Sequence, residues 1–188
     1  MPTVKNVSAG KPKVAGAVYR APLGTTPPTD ATTALASAFA DMGYISEDGI
    51  VNSNSPETEK IKAWGGQIVL VVSTEKPDTI KLTFLESLNA NVLKTVYGDT
   101  KVTVDDTNHT ITVAAGAAAL EDHVYAIDII MRDGALKRIV IPQGELSALG
   151  DIVYKDDEAV GYEVTLECMP DSSGNTHYEY IKLATSST

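Results

Sequence analysis

"HVYAIDIIMRDGALKRIVIP", residues 123–142, carries the reading of the fold. Two runs rich in β-branched and apolar residues flank Asp133-Gly134, the arrangement of an antiparallel hairpin. A type I′ turn needs positive φ at both central residues, and Asp-Gly tolerates it, which makes this the strongest turn signal in the chain. Toward the C-terminus follows "AVGYEVTLECMP", in which Tyr162, Val164, Leu166 and Cys168 alternate with Glu163, Thr165 and Glu167. One face of that strand belongs in a core while the other displays acids. The turn "DSSGN" then leads to a last strand, "THYEYIKLA".

Working back toward the N-terminus, "KVTVDD" and "HTITVAA" form a second expected hairpin around Asp105-Asp106-Thr107-Asn108. "DTIKLTFLE" alternates, with Ile80, Leu82 and Phe84 on one face and Lys81 and Thr83 on the other, as a half-buried strand does. Between these lies a short helix from about Asn89 to Tyr97, with Val92, Leu93, Val96 and Tyr97 as its apolar stripe and Gly98 as terminator. Asp30 is placed to cap another short helix, with Leu35, Phe39 and Met42 on one face and Gly43 at its end. "YIS" and "IVNS" flank a turn at Glu47-Asp48-Gly49. Some ten short strands and frequent turns indicate a mainly β chain, a β-sandwich or barrel with one or two short flanking helices. Residues 14–184 are expected to form a single domain, preceded by a flexible basic N-terminal arm over 1–13 and followed by a frayed end over 185–188.

Composition limits what such a domain can do. With 188 residues, 43% of them apolar, there is enough material for one packed core. The longest apolar run, Gln67 to Ser73, is far short of the roughly 20 residues needed to cross a bilayer, and the N-terminus has no signal-peptide core, so no membrane is expected and folding belongs in a cytoplasm. Fifteen basic and 25 acidic residues give a net charge of −10, with +4 on residues 1–29 and −14 on the remainder. That acidic body repels nucleic-acid phosphates.

Catalytic and metal chemistry find little purchase. His109, His123 and His177 lie on separate strands or strand edges without a second ligand at metal spacing. Cys168, the single cysteine, reads as a buried strand residue, and no intrachain disulfide is possible. Acidic pairs at Asp105-Asp106, Glu121-Asp122 and Asp156-Asp157-Glu158 read as solvated turns, since the EF-hand pattern is missing. No phosphate loop, dinucleotide fingerprint or nucleophile elbow occurs. Neither a cofactor nor an enzymatic activity is expected.

One stretch stands apart: "NSNSPETEKIKAWGGQIVLVV", residues 52–72, a polar turn, then alternating charges, then the single tryptophan, then an apolar strand. Ile68 to Ser73 is expected in the sandwich and Asn52 to Gly66 as a projecting arm, with a long early hairpin loop the result. Glu57, Glu59, Lys60 and Lys62, bracketed by Pro56 and Trp64, could pair with a complementary surface and anchor it with an indole. The same residues also suit a solvated hairpin with Trp64 packed into its own core, the commoner arrangement for mixed charges on a surface loop.

Residues 16–99 resemble a known family. "GAVYRAPLGTTPPTDATTALASAFADMGYISEDGI", "NSPETEKIKAWGG" and "TEKPDTIKLTFLESLNANVLKTVYGD" follow in order the wording of the major tail protein, or tail tube protein, of long-tailed bacteriophages, while residues 100–188 are similar in strand content only. The resemblance implies a tail tube fold and a virion protein of the tail, made and assembled in the host cytoplasm. It implies hexameric rings stacked into a hollow tube, joined by the long loop and the terminal arms. Its implied partners are other copies of itself, the tape measure protein, the tail terminator and tail tip proteins, and double-stranded DNA in transit. Glu57, Glu59, Lys60, Lys62 and Trp64 of the loop, with Lys11 and Lys13 of the N-terminal arm, are the expected subunit-interface residues. Two other readings share the fold: a monomeric glycan-binding sandwich using Trp64 beside Gly65-Gly66, and the inner tube of a contractile or phage-derived injection particle.

Overall fold

The computed structural model describes residues 7–13, 17–117 and 119–184. The first six residues of the expected arm and the frayed end expected over 185–188 lie outside that set. In chain order the strands are β1 (Gly10–Pro12), β2 (Val18–Pro22), β3 (Ala40–Asp41), β4 (Val51–Ser53), β5 (Glu57–Lys62), β6 (Ile68–Glu75) and β7 (Thr79–Phe84). After helix α1 (Ala90–Tyr97) come β8 (Val102–Asp105), β9 (Thr110–Val113), β10 (His123–Met131), β11 (Leu136–Leu149), β12 (Tyr162–Cys168) and β13 (Tyr178–Lys182). The fold is mainly β and sandwich-like, as expected.

The quoted hairpin, β10 with β11, is the spine of a nine-stranded antiparallel sheet in the order β3-β2-β10-β11-β12-β7-β4, with β1 added to β10 and β13 to β11. Its turn is longer than the sequence suggests. Met131 N–H donates to the Ala135 carbonyl at 2.7 Å, closing a loop over Arg132–Gly134 in which Gly134 takes the positive φ of 81°. This is the three-residue form of a hairpin loop, with glycine in the left-handed position, rather than a two-residue type I′ turn.

Strand β11 also runs on through Pro142, which has no N–H to give to a ladder. Pairing resumes beyond it because the register shifts between His123 and Tyr125, and the bulge absorbs Pro142. At Gly144 a Cβ would lie 2.9 Å from the Tyr125 ring, so the close passage past the bulge needs glycine.

The alternation seen in sequence places the core. Ile80, Leu82 and Phe84 of β7, Val164, Leu166 and Cys168 of β12, Ile139 and Ile141 of β11, and Tyr125 and Ile127 of β10 join one buried cluster with Val92, Leu93 and Val96 of α1. The helix starts as the sequence indicates, with the Asn89 side chain accepting from Asn91 N–H at 2.9 Å, and it ends with Gly98 N–H on the Lys94 carbonyl at 2.8 Å. Burial raises the Cys168 thiol to about 12, which suits a structural rather than a nucleophilic role.

The helix expected after Asp30 does not form. Residues 23–39 instead cover the other sheet face as an irregular loop, with Phe39 and Leu35 packed on Ala21, Val124 and Ala126. Asp30 does cap: its carboxylate accepts from Thr32 and Thr33 backbone N–H groups and from both hydroxyls. Arg138 Nη1 donates to the Asp30 and Thr33 carbonyls at 3.1 and 2.7 Å, which holds this irregular segment against the sheet. The rest of that guanidinium forms a two-pronged pair with Asp128, Nε to Oδ1 at 2.6 Å and Nη2 to Oδ2 at 2.9 Å. Arg138 thereby ties the covering loop to the spine of the sheet.

Candidate subunit interface

The charged stretch at 52–72 forms a hairpin separate from the main sheet. Strands β5 and β6 pair only with each other, and every residue in both is exposed. Ile68 to Ser73, expected in the sandwich, instead lies in the second strand of the projecting arm, Ile68–Glu75. The apex runs Ala63–Gln67, closed by Ala63 N–H on the Gln67 carbonyl at 2.8 Å, with positive φ at Gly65 and Gly66. Trp64 stands at that apex with 107% relative exposure, so it is not tucked into its own core.

The pairing register sorts the side chains. Glu59 lies opposite Val72 and Ile61 opposite Leu70, whereas Lys60 lies opposite Val71 and Lys62 opposite Ile68. Residues alternate faces along a strand, so Glu59 and Ile61 share one face with Leu70 and Val72 opposite them, and Lys60 and Lys62 share the other with Val71 opposite Lys60, until a register shift between Ile61 and Lys62 breaks the alternation before Ile68. What reads in sequence as alternating charge is an acidic side and a basic side, each carrying apolar residues. None of Glu57, Glu59, Lys60 and Lys62 has an ion-pair partner among the described residues.

The structure thus gathers five of the seven expected interface residues on one arm. The other two lie elsewhere. Lys11 is exposed on β1, opposite Ile130, and Lys13 places its Nζ 3.3 Å from Asp128 Oδ2 within its own chain. The arm read as flexible thus lies along the sheet edge at Gly10–Pro12. The apolar residues of the hairpin, expected inside the sandwich for Ile68 to Ser73, are in solvent: Ile61, Ile68, Val69, Leu70, Val71 and Val72 are each at least 40% exposed. The available signal was a run apolar on both faces, which demands burial on two sides.

The base of the arm is fastened. Asp78, 2% exposed, accepts from Asn52 at the outgoing end of the arm and from Thr176 and His177 near the C-terminus. Burial pushes its carboxyl up, but the hydrogen bonds from Thr176, Asn52 and His177 outweigh it and hold the group below the usual carboxylate range.

A second polar cluster lies across the fold. Asp99, Glu121 and His123 place donor atoms within 4.8 Å of one another, a composition that could ligate a cation. Arg20 Nη2, however, sits 2.6 Å from Asp99 Oδ1 and His123 Nε2 3.1 Å from Asp99 Oδ2. Arg20 already supplies positive charge to Asp99, and the cluster joins β2, β10 and the turn after α1, with Arg20 Nη1 left buried without a hydrogen-bond partner among the described residues.

A β domain with a closed core that leaves a long apolar hairpin in water is built as a self-associating structural subunit. The chain belongs to the phage tail tube protein family, whose sequence model matches residues 10–188. No individual curated protein matches it. Membership makes the chain a structural component of a phage tail that assembles into a tube. No helix among the described residues is long and apolar enough to cross a membrane.

Proposed function

We propose that the chain is the repeating subunit of stacked, hexameric rings whose lumen holds the tape measure protein during assembly and then carries double-stranded DNA to the host. In this reading the tail terminator and tail tip proteins close the two ends of the tube. The hairpin β5–β6 carries the proposal. An isolated two-stranded ribbon is marginal in water, and this one exposes six aliphatic side chains and an indole, so its stable state is one in which another surface covers it. In a tube that surface is another copy. Glu57, Glu59, Lys60, Lys62 and Trp64 then lie in the contact, and Lys11 adds to it from the sheet edge. Lys13, held by Asp128, orients the arm.

The charge supports passage of nucleic acid rather than its capture. A net charge of −10 on a subunit repeated along a channel repels phosphates and leaves no counterion-release drive for binding. Trp64 stands on a convex apex rather than on the concave platform a glycan site needs, so the glycan-binding reading gains nothing comparable.

Negative-stain microscopy of the purified protein and of virions tests this. Tubes with a regular axial repeat and sixfold end views are expected. Protein that stays monomeric and is missing from purified tails would overturn it.

A further inference from the structure

A cleft of about 380 Å³ opens between β1 and the turn over residues 46–50. Ile45, Ile50 and Ile129 line it, and all three pack against the main core, so its floor is continuous with that core. Pro12 also lines it, as do the exposed side chains of Glu47, Asp48 and Lys11. The volume lies at the small end of the roughly 300–1,000 Å³ typical of small-molecule pockets.

Resting on the self-assembly proposed above, we infer that this cleft is the socket for Trp64 of a second copy. Three observations favour that occupant. Among the described residues the indole is the most exposed large apolar group, and Ile45, Ile50 and Ile129 make the cleft apolar where it meets the core. Lys60 and Lys62 lie on one face of the arm, four and two residues before the indole, and the cleft's lining offers Glu47 and Asp48 to meet them.

The third observation is placement. The arm leaves the sheet where Ser53 pairs with Thr79, whereas Ile45 of the socket bridges Phe84 at the other end of β7, on the order of 15 Å away. Both strands of the arm are exposed throughout, so a chain does not fill its own socket. Knob and socket are different patches at opposite ends of one strand. Made head to tail, a contact between them leaves every pair with a free knob and a free socket and propagates, whereas two made reciprocally close a twofold dimer; the tube proposed above requires the first. The inference therefore names which surface the arm grips and gives the assembly a direction.

Trp64 is the single tryptophan, so intrinsic fluorescence reports on it alone. Emission is expected to shift to shorter wavelength on assembly, and Trp64→Ala to raise the concentration needed for assembly roughly tenfold or more, as loss of a buried aromatic anchor does. Position is tested by charge exchange. Lys60→Glu/Lys62→Glu and Glu47→Lys/Asp48→Lys should each impair assembly, and the four changes combined in one chain should restore it. Because Asp48 also accepts from the Ser46 hydroxyl, Glu47→Lys alone, combined with Lys62→Glu, provides a version that keeps that bond. Tubes that form with no spectral shift, or charge reversals that the combination fails to rescue, would overturn the socket and leave the tube reading standing. A wild-type chain that never assembles would overturn both.

Discussion

Arg138 is 1% exposed, and each of its polar atoms is engaged by Asp128 or by the carbonyls of the covering loop. Removing one member of a buried pair leaves the other charged and unmatched, which commonly costs about 3–5 kcal/mol. Arg138→Met should reach that range in urea denaturation, although Lys13 still reaches Asp128. Adding Asp128→Asn to Arg138→Met should recover part of the loss, since the orphaned charge is gone. A double variant no better than the single would show that the carbonyl contacts, not the ion pair, hold the loop. Gly144 is a steric case instead. A methyl group there meets the Tyr125 ring at 2.9 Å, and both sit in the bulge that carries β11 past Pro142. Gly144→Ala should cost about 1–3 kcal/mol by overpacking, whereas Gly174→Ala, with positive φ of 80° but open space around it, isolates the backbone effect alone.

Among the elements, the β5–β6 hairpin separates folding from assembly. It shares no buried residue with either core cluster. Replacing 57–75 by a short glycine-serine turn should leave the unfolding midpoint of the body nearly unchanged while abolishing tubes. Lys60→Glu/Lys62→Glu should do the same more gently, because exposed charges on a solvated ribbon rarely alter stability by more than about 0.5 kcal/mol. Unfolding of the body on truncation would show that the ribbon supports its own domain. The elements also show how far the chain was legible. Alternation in "DTIKLTFLE" and "YEVTLEC" marked the correct inward residues, because those strands bury one face within their own chain. "IVLVV" was misplaced for a physical reason: its apolar character reports that burial occurs, not whether the covering surface belongs to the same molecule. Likewise Asp30 does accept from the Thr32 and Thr33 N–H groups, but no helix follows, and the Asp30 and Thr33 carbonyls accept from Arg138, more than 100 residues away in sequence. The interface arm was visible as charge plus indole, whereas the socket was not, since β1 and the turn at 46–50 meet only through the fold.

Across the whole molecule, three buried or half-buried aspartates join distant segments: Asp78 the arm base to the C-terminal turn, Asp99 the helix end to Arg20 and His123, and Asp128 the spine to Arg138 and Lys13. At each site burial pushes the carboxyl up, and hydrogen bonds with neighbouring positive charge push it further down, so all three end below the ordinary value of about 4. A group with a lowered folded value binds fewer protons folded than unfolded in the interval between the two. Its stabilisation is complete above the unfolded value and is lost as pH falls through the folded one. The urea midpoint should therefore hold level down to about pH 5 and fall steeply below about pH 4. The acid loss should be shallower in the Asp128→Asn/Arg138→Met chain, which lacks one of the three titrating links. Circular dichroism across pH 2.5 to 7, an interval chosen to span about 4 from both sides, measures this directly. An equal slope in the two chains would mean that the Asp128 link does not contribute to the acid limit, leaving it to Asp78, Asp99 and the other carboxylates.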